Sequence, residues 1–212
     1  MKVIGLYKAQ LKRIGPKSEL TGIYKYPTNT ATVDKLGIVG DIQVDKRYHG
    51  GPERALHQYS LSSYEKIIKA YPLLYRKAKV GSMGENISVG TMNETNVCIG
   101  DTYEIGKVVV QVSGPRMPCF KISEKFSTPG LDKFIAKHGI HGWYYRILTE
   151  GSFAVDDQVT LVSRPNPTLT IAEFLKLAQG KTTPKDVLQN ASKAEGLDPE
   201  WQETLQRKAS KS

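Results

Sequence analysis

From Val3 to Val162 the chain is a succession of short runs rich in Val, Ile, Thr and Tyr, separated by Gly, Pro, Asn and Asp. That pattern leaves few folds open. Branched and aromatic side chains suit a pleated, half-buried surface, and the breakers between them supply turns. Residues 3–7, 21–25, 31–33, 86–89, 102–105, 108–112, 143–148 and 158–162 read as strands, and KVVVQVSG is the clearest of them. Two segments switch to helical spacing. In residues 62–70, Tyr64, Ile67 and Ile68 share one face, with Ser63 at the cap position; in residues 131–137, Leu131, Phe134 and Ile135 recur at helix spacing. A doubly wound parallel sheet needs regular strand–helix alternation, which is missing. The pattern predicts a mainly β (α+β) fold with a closed or partly closed β-barrel.

The character changes near Arg164. After the linker SRPNPT, Thr170 can cap a helix with Ile171, Phe174 and Leu175 on one stripe. Thr183-Pro184 starts a second helix carrying Val187, Leu188 and Ala191, and Gly196 ends it. Asp198-Pro199 opens a third, a cap followed by proline at the first helical position, with Trp201 and Leu205 on one face. The expected division is a β-barrel domain over residues 1–162 and a three-helix domain over residues 163–212.

Charge and cysteine content narrow the function classes. The net charge is +9, which suits phosphate-bearing ligands or nucleic acid and also favours solubility. No five consecutive residues are basic, and residues 163–212 hold 8 Lys and Arg against 6 Asp and Glu, so a nucleic-acid partner is not expected. No apolar run nears the roughly 18 residues of a membrane span. The first residues alternate like a strand and lack a signal-peptide core, so a cytoplasmic protein is expected. Cys98 and Cys119 are too few for a disulfide framework or an all-cysteine zinc site.

Two polar segments stand out. GDIQVDKRYHGG, residues 40–51, places Asp41, Gln43, Asp45, Lys46, Arg47 and His49 among glycines that let backbone N–H groups approach an anion. On its residues alone it is either a solvated connection or a binding loop. VSGPRMPCFK, residues 112–121, holds Cys119 after a strand and between prolines that stiffen the turn. Arg116 and Lys121 favour the thiolate, while a small buried thiol is the other reading. Cys98, between Val97 and Ile99 without a nearby base, reads as structural. GSMGEN, residues 81–86, is a weak anion-loop signal, and GIHGWYYRILTEG, residues 139–151, reads as a hairpin or strand edge. In the latter Trp143 and Tyr145 are expected in the core, with Arg146 as a phosphate partner.

Taken in order, these segments resemble the MOSC domain, the module named after the C-terminal part of molybdenum cofactor sulfurases. GDIQVDKRYHGGPERAL is similar to that family's cofactor loop, GENISV to its GENLT-like segment, VSGPRMPCFK to its cysteine segment and GWYYRILTEG to its late strand. The three-helix tail is similar to that of the YiiM branch. The resemblance implies a β-barrel-like domain that holds the molybdenum cofactor, a Mo-pyranopterin, with Cys119 as the metal ligand. It implies a cofactor-binding set of Lys25, Asp41, His49, Gly50, Gly51, Arg54, Asn86, Arg116 and Lys121. It assigns catalytic roles to Cys119, His49 and Asp45, the last two as proton relays. Relatives often carry Thr where Asp34 stands, so position 34 is left out of the site.

The implied activity is reduction of small N-hydroxylated compounds such as 6-hydroxylaminopurine. Electrons would come from a separate flavin or iron–sulfur reductase, because the chain shows neither a GxGxxG loop nor a cluster-forming cysteine set. The alternative is a sulfur carrier in cofactor maturation, with a persulfide on Cys119. A cysteine hydrolase lacks a histidine placed beside the thiol, and His49, His57, His138 and His141 form no HxxxH or HxH zinc pair.

Overall fold

The computed structural model describes residues 1–44 and 50–211. The chain opens with a long hairpin, β1 (Val3–Ile14) and β2 (Glu19–Thr28), followed by β3 (Thr30–Asp34) and β4 (Gly37–Ile38). Next come β5 (Leu56–Gln58), α1 (Leu61–Ala70), β6 (Ile87–Val89), β7 (Thr102–Ile105) and β8 (Val108–Pro115). Two short helices, α2 (Phe120–Phe126) and α3 (Leu131–Lys137), precede β9 (Trp143–Thr149), β10 (Gly151–Ala154) and β11 (Val159–Ser163). Three helices end the chain: α4 (Ile171–Gln179), α5 (Lys185–Ser192) and α6 (Pro199–Ala209).

Eight strands form one sheet in the order β11-β7-β8-β9-β5-β6-β1-β2, and β10-β3-β4 form a second. This is the expected mainly β (α+β) fold, with the barrel partly rather than fully closed. No ladder joins β11 to β1 or β2 among the described residues; a single antiparallel bridge between Lys2 and Gln158 links the two sides. Main-chain bonds support it, from Val3 N–H to Asp157 O at 3.1 Å and from Val159 N–H to Met1 O at 2.8 Å. The sheet therefore curls toward closure and leaves β2 projecting beyond it. The hydrogen-bonding capacity of β1 is shared between β2 and β6, so little remains for a complete ladder to β11.

The helix starts follow side-chain chemistry. Thr170 Oγ1 accepts from Glu173 N–H at 3.1 Å and Asp198 Oδ1 from Glu200 N–H at 2.8 Å, as the cap signals predict. Helix α1 is capped by Ser60, not Ser63: Ser60 Oγ accepts from Ser63 N–H at 3.1 Å. Ser63 instead donates to the buried Glu94 carboxylate. Helix α2 was not expected, because Pro115 and Pro118 read as a continuing turn. Proline restrains only what precedes the helix, and the chain turns helical directly after Cys119. Residues of α4, α5 and α6, among them Phe174, Leu188 and Leu205, share one apolar core with Val110, Val112 and Tyr145 of the sheet. A second core gathers Tyr59, Tyr64, Ile122, Leu131 and Ile135.

Candidate functional site

Strand β2 sets one wall of a cleft. Side chains two apart on a strand share a face, so Thr21, Ile23 and Lys25 line up together. Across from them lie Asp41 to Val44, Gly50, Arg54 and His57, then Asn86, Arg116, Cys119, Lys121 and Tyr144. The space between is about 100 Å³ and open to solvent.

Asp41 is the polar hinge of this wall. Lys25 Nζ donates to its two oxygens at 3.2 and 3.0 Å, Asn86 Nδ2 at 2.8 Å, and the N–H of Ala9 also bonds to it. Lys25 and Asp41 are both almost fully buried. Burial lowers the pKa of the Lys25 amine, and Asp41 opposes that shift. Asn86 is held on its other side too. Its Oδ1 accepts from His57 N–H at 3.2 Å, and its N–H donates to His57 O at 2.8 Å. The loop, β5 and the start of β6 are thereby locked in one register.

Cys119 lies half-buried at the end of a turn pinned from behind. Arg116 N–H donates to Gly142 O at 3.2 Å, and His141 Nδ1 lies 2.9 Å from Arg116 O. His141 is fully buried, and burial lowers its pKa, so the ring is neutral with one N–H to give. Its other nitrogen, Nε2, lies 3.3 Å from Ala136 O, so the ring bridges two backbone carbonyls. The turn that Pro115 and Pro118 stiffen is thus pinned further by His141, a residue the sequence marked only as no zinc ligand. Arg116 itself is buried, and its Nη1 has no hydrogen-bond partner among the described residues. A buried guanidinium nitrogen left without a partner, on a residue that lines the cleft, fits an anion or carbonyl acceptor.

The expected site residues are brought together in large part. Lys25, Asp41, Gly50, Arg54, Asn86, Arg116, Cys119 and Lys121 line the cleft. Gly51, at φ 82°, starts the turn Pro52–Arg54 one residue beyond the lining. Asp45 and His49 lie outside the described residues. Asp34 is occupied elsewhere, its Oδ1 accepting from Leu36 N–H at 2.8 Å in the turn before β4. Arg146 binds Glu53 and Gln111 rather than facing the cleft. Cys98 is buried, with Sγ 3.6 Å from Pro167 O, as a structural thiol should be.

Among the cleft residues missed are His57 and Tyr144, whose rings lie 5.5 Å apart. The signal for Tyr144 was present: with Trp143 and Tyr145 in the core, alternation sends Tyr144 to the opposite face. Burial raises its pKa, against the pull of the nearby Arg116 and Arg54. His57 sits in a three-residue strand too short to show alternation.

Residues 45–160 match the family model of the MOSC domain. Over 174 residues the chain is 32% identical to the protein YiiM of Escherichia coli (strain K12), covering 82% of this chain and 77% of that one. It is 34% identical over 153 residues to a protein of Gibberella moniliformis named "Reductase", covering 72% of this chain but 27% of that longer protein. The crystal structure of YiiM from Geobacillus stearothermophilus superposes with a TM-score of 0.82 at 27% identity, covering 98% of each chain.

Proposed function

The chain belongs to the MOSC-domain family and is of the YiiM type, and from that premise we propose that it is a molybdenum-cofactor-dependent reductase of small N-hydroxylated compounds, 6-hydroxylaminopurine among them. The observation that carries the reading is the placement of Cys119 in one cleft with Lys25, Arg54, Arg116 and Lys121. A pyranopterin cofactor brings a phosphate, a hydrogen-bonding ring and a metal that takes soft sulfur. The donor set fits each part: cationic side chains and the unpartnered Arg116 Nη1 for anionic oxygens, Asn86 and Gln43 for ring edges, and the Cys119 sulfur for the metal.

Bound there, the cofactor would supply the two-electron chemistry that removes oxygen from an N–O bond. The overall change is R–NH–OH plus two electrons and two protons to R–NH2 plus water. The electrons come from a separate flavin or iron–sulfur reductase. The chain's own residues hold and orient. Asp41 fixes Lys25, so the remaining N–H of its amine meets a ligand without first reorganising, and it holds Asn86 in place beside it. His141 and Gly142 fix the turn that presents Cys119. His49 and Asp45 are assigned the proton relay from sequence.

The test is metal content. The protein is produced in a host that makes the cofactor, and molybdenum and pterin are measured per chain. Wild type and Cys98→Ser should carry both at near-equal amounts, while Cys119→Ser should lose metal or change its spectrum. Reduction of 6-hydroxylaminopurine by the loaded protein is then expected. Folded wild type carrying neither metal nor pterin defeats the reading, and a labile sulfur on Cys119 by mass spectrometry would establish the sulfur-carrier alternative.

A further inference from the structure

The turn that presents Cys119 has a second side. There a groove of about 490 Å³ opens, walled by Met117, Pro118, Phe120, Tyr144, Trp201 and Thr204. It shares Arg54, Cys119, Lys121 and Tyr144 with the cleft already described, so a molecule in one can reach the other. Its lining is more apolar and more aromatic than that of the first cleft. Met117 in the turn and Phe120 at the start of α2 are 47% and 51% exposed, large for apolar side chains in ordered structure.

One wall of the groove is the final helix, and its docking is specific. Asp198 N–H donates to Ser113 O at 2.8 Å, immediately before Gly114 on β8. Arg54 reaches across to Glu200 at 2.5 Å and to Asp198 at 3.5 Å. Trp201 lies edge-on to Phe174, with ring centroids 5.2 Å apart. It also covers Gly114, where a Cβ would stand 2.8 Å from Trp201 Cδ1. The missing side chain at Gly114 lets the indole reach the strand that leads into the Cys119 turn. Helix α6 is therefore held in place by the same residues, Arg54 and the end of β8, that build the cleft.

We propose that this groove is the subsite for the body of the substrate, a planar ring system whose N-hydroxyl end reaches Cys119, and that Trp201 and Thr204 of α6 set its width. The inference rests on the reductase reading above and adds to it a place and a size limit for the substrate. Flat apolar rings gain most from such walls, by the area they remove from water and by offset or edge contact with Phe120, Tyr144 and Trp201. At the rim, the Arg54–Glu200 pair offers both a donor and an acceptor to ring nitrogens and amino groups. A substrate as small as hydroxylamine itself would reach Cys119 without touching α6.

The test fills the groove from the tail. Thr204→Phe is compared with Gln206→Phe, which adds the same ring to an exposed position of α6. Both are made in the cofactor-loaded protein and checked for an unchanged melting temperature. Thr204→Phe should raise KM for phenylhydroxylamine by about tenfold or more, the scale on which a pocket rejects a misfitting group, and leave turnover of hydroxylamine unchanged. Gln206→Phe should change neither. A second readout needs no metal: aniline titrated into cofactor-free protein should quench Trp201 fluorescence, and Thr204→Phe should abolish the effect. Equal KM values for wild type and Thr204→Phe would overturn the subsite. Loaded wild type that reduces neither substrate would defeat the reductase reading instead; the aniline titration then decides the groove alone, and no quenching would overturn it.

Discussion

Asp41 shows how much of the site hangs on one side chain. Three donors, Lys25 Nζ, Asn86 Nδ2 and the N–H of Ala9, converge on its carboxylate in a nearly water-free wall. An ion pair of this kind contributes little against well-packed apolar residues, yet removing one partner strands the other. Asp41→Ala should therefore destabilise the protein by about 3 kcal/mol, read as a lower urea midpoint at unchanged slope. Asp41→Asn, which keeps the shape and one acceptor, should lose clearly less. Equal midpoints for Asp41→Ala and wild type would show that Lys25 and Asn86 find other acceptors. The residues of this cluster were legible individually, but their meeting was not. Lys25 stands on β2, Asp41 after β4 and Asn86 before β6, and no periodicity joins them. Only the ordered family motifs pointed to one site. His141 was missed for the opposite reason. A histidine between two glycines looks like loop, and its burial depends on α3 packing over it.

Among the elements, the patterned ones were readable, down to the three residues of β6, while several short ones were not. The edges of α3 and α6 and the caps at Thr170 and Asp198 follow from local chemistry. Strands β4, β5 and β10, of two to four residues, exist because the sheet pairs them, which no local signal reports. The connection from α3 to β9 shows the same split. Gly139 and Gly142 both have positive φ, 63° and 70°, so both favour glycine. Around Gly139 there is open space, whereas a Cβ at Gly142 would stand 2.4 Å from Gln58 O, a backbone atom that cannot swing away. Gly142 also carries the turn's register, since its N–H donates to Glu94 at 3.0 Å and its carbonyl accepts from Arg116. Gly139→Ala should cost about 1 kcal/mol, the conformational term alone. Gly142→Ala should cost about 3 kcal/mol or more and disturb Cys119 reactivity as well, because the Arg116 turn must shift. Matching melting temperatures for the two variants would refute the distinction.

For the whole molecule, the cations gathered at the cleft shape how stability depends on pH. Lys125 of α2 is mostly buried and donates to Ile23 O at 2.9 Å and Ser82 O at 2.6 Å. Burial is the main cause that pulls its pKa down to about 8. Glu85 opposes, and Arg116, Lys25 and Lys12 push further down. A neutral amine keeps two N–H groups, enough for both carbonyls, so losing the proton sacrifices neither bond. In the unfolded chain the same lysine titrates near 10.5. Between those values the unfolded state binds a proton that the folded state does not, so stability rises with pH through that window. Below it both states are protonated and the penalty is fully present. Buried tyrosines set the upper limit. Burial holds Tyr59, Tyr64, Tyr103 and Tyr145 above the usual 10.0, so beyond that pH the unfolded state sheds protons first and stability falls. The Lys125 contribution is therefore cleanest below pH 10. Raising pH from about 7 to about 9.5 should stabilise wild type relative to Lys125→Met by about 2 kcal/mol, measured by urea denaturation at each pH. The methionine also loses two hydrogen bonds, but that offset is the same at both pH values and drops out of the comparison. A gap between the two proteins that stays constant would mean that Lys125 keeps its proton in the folded state, screened from the cleft's cations.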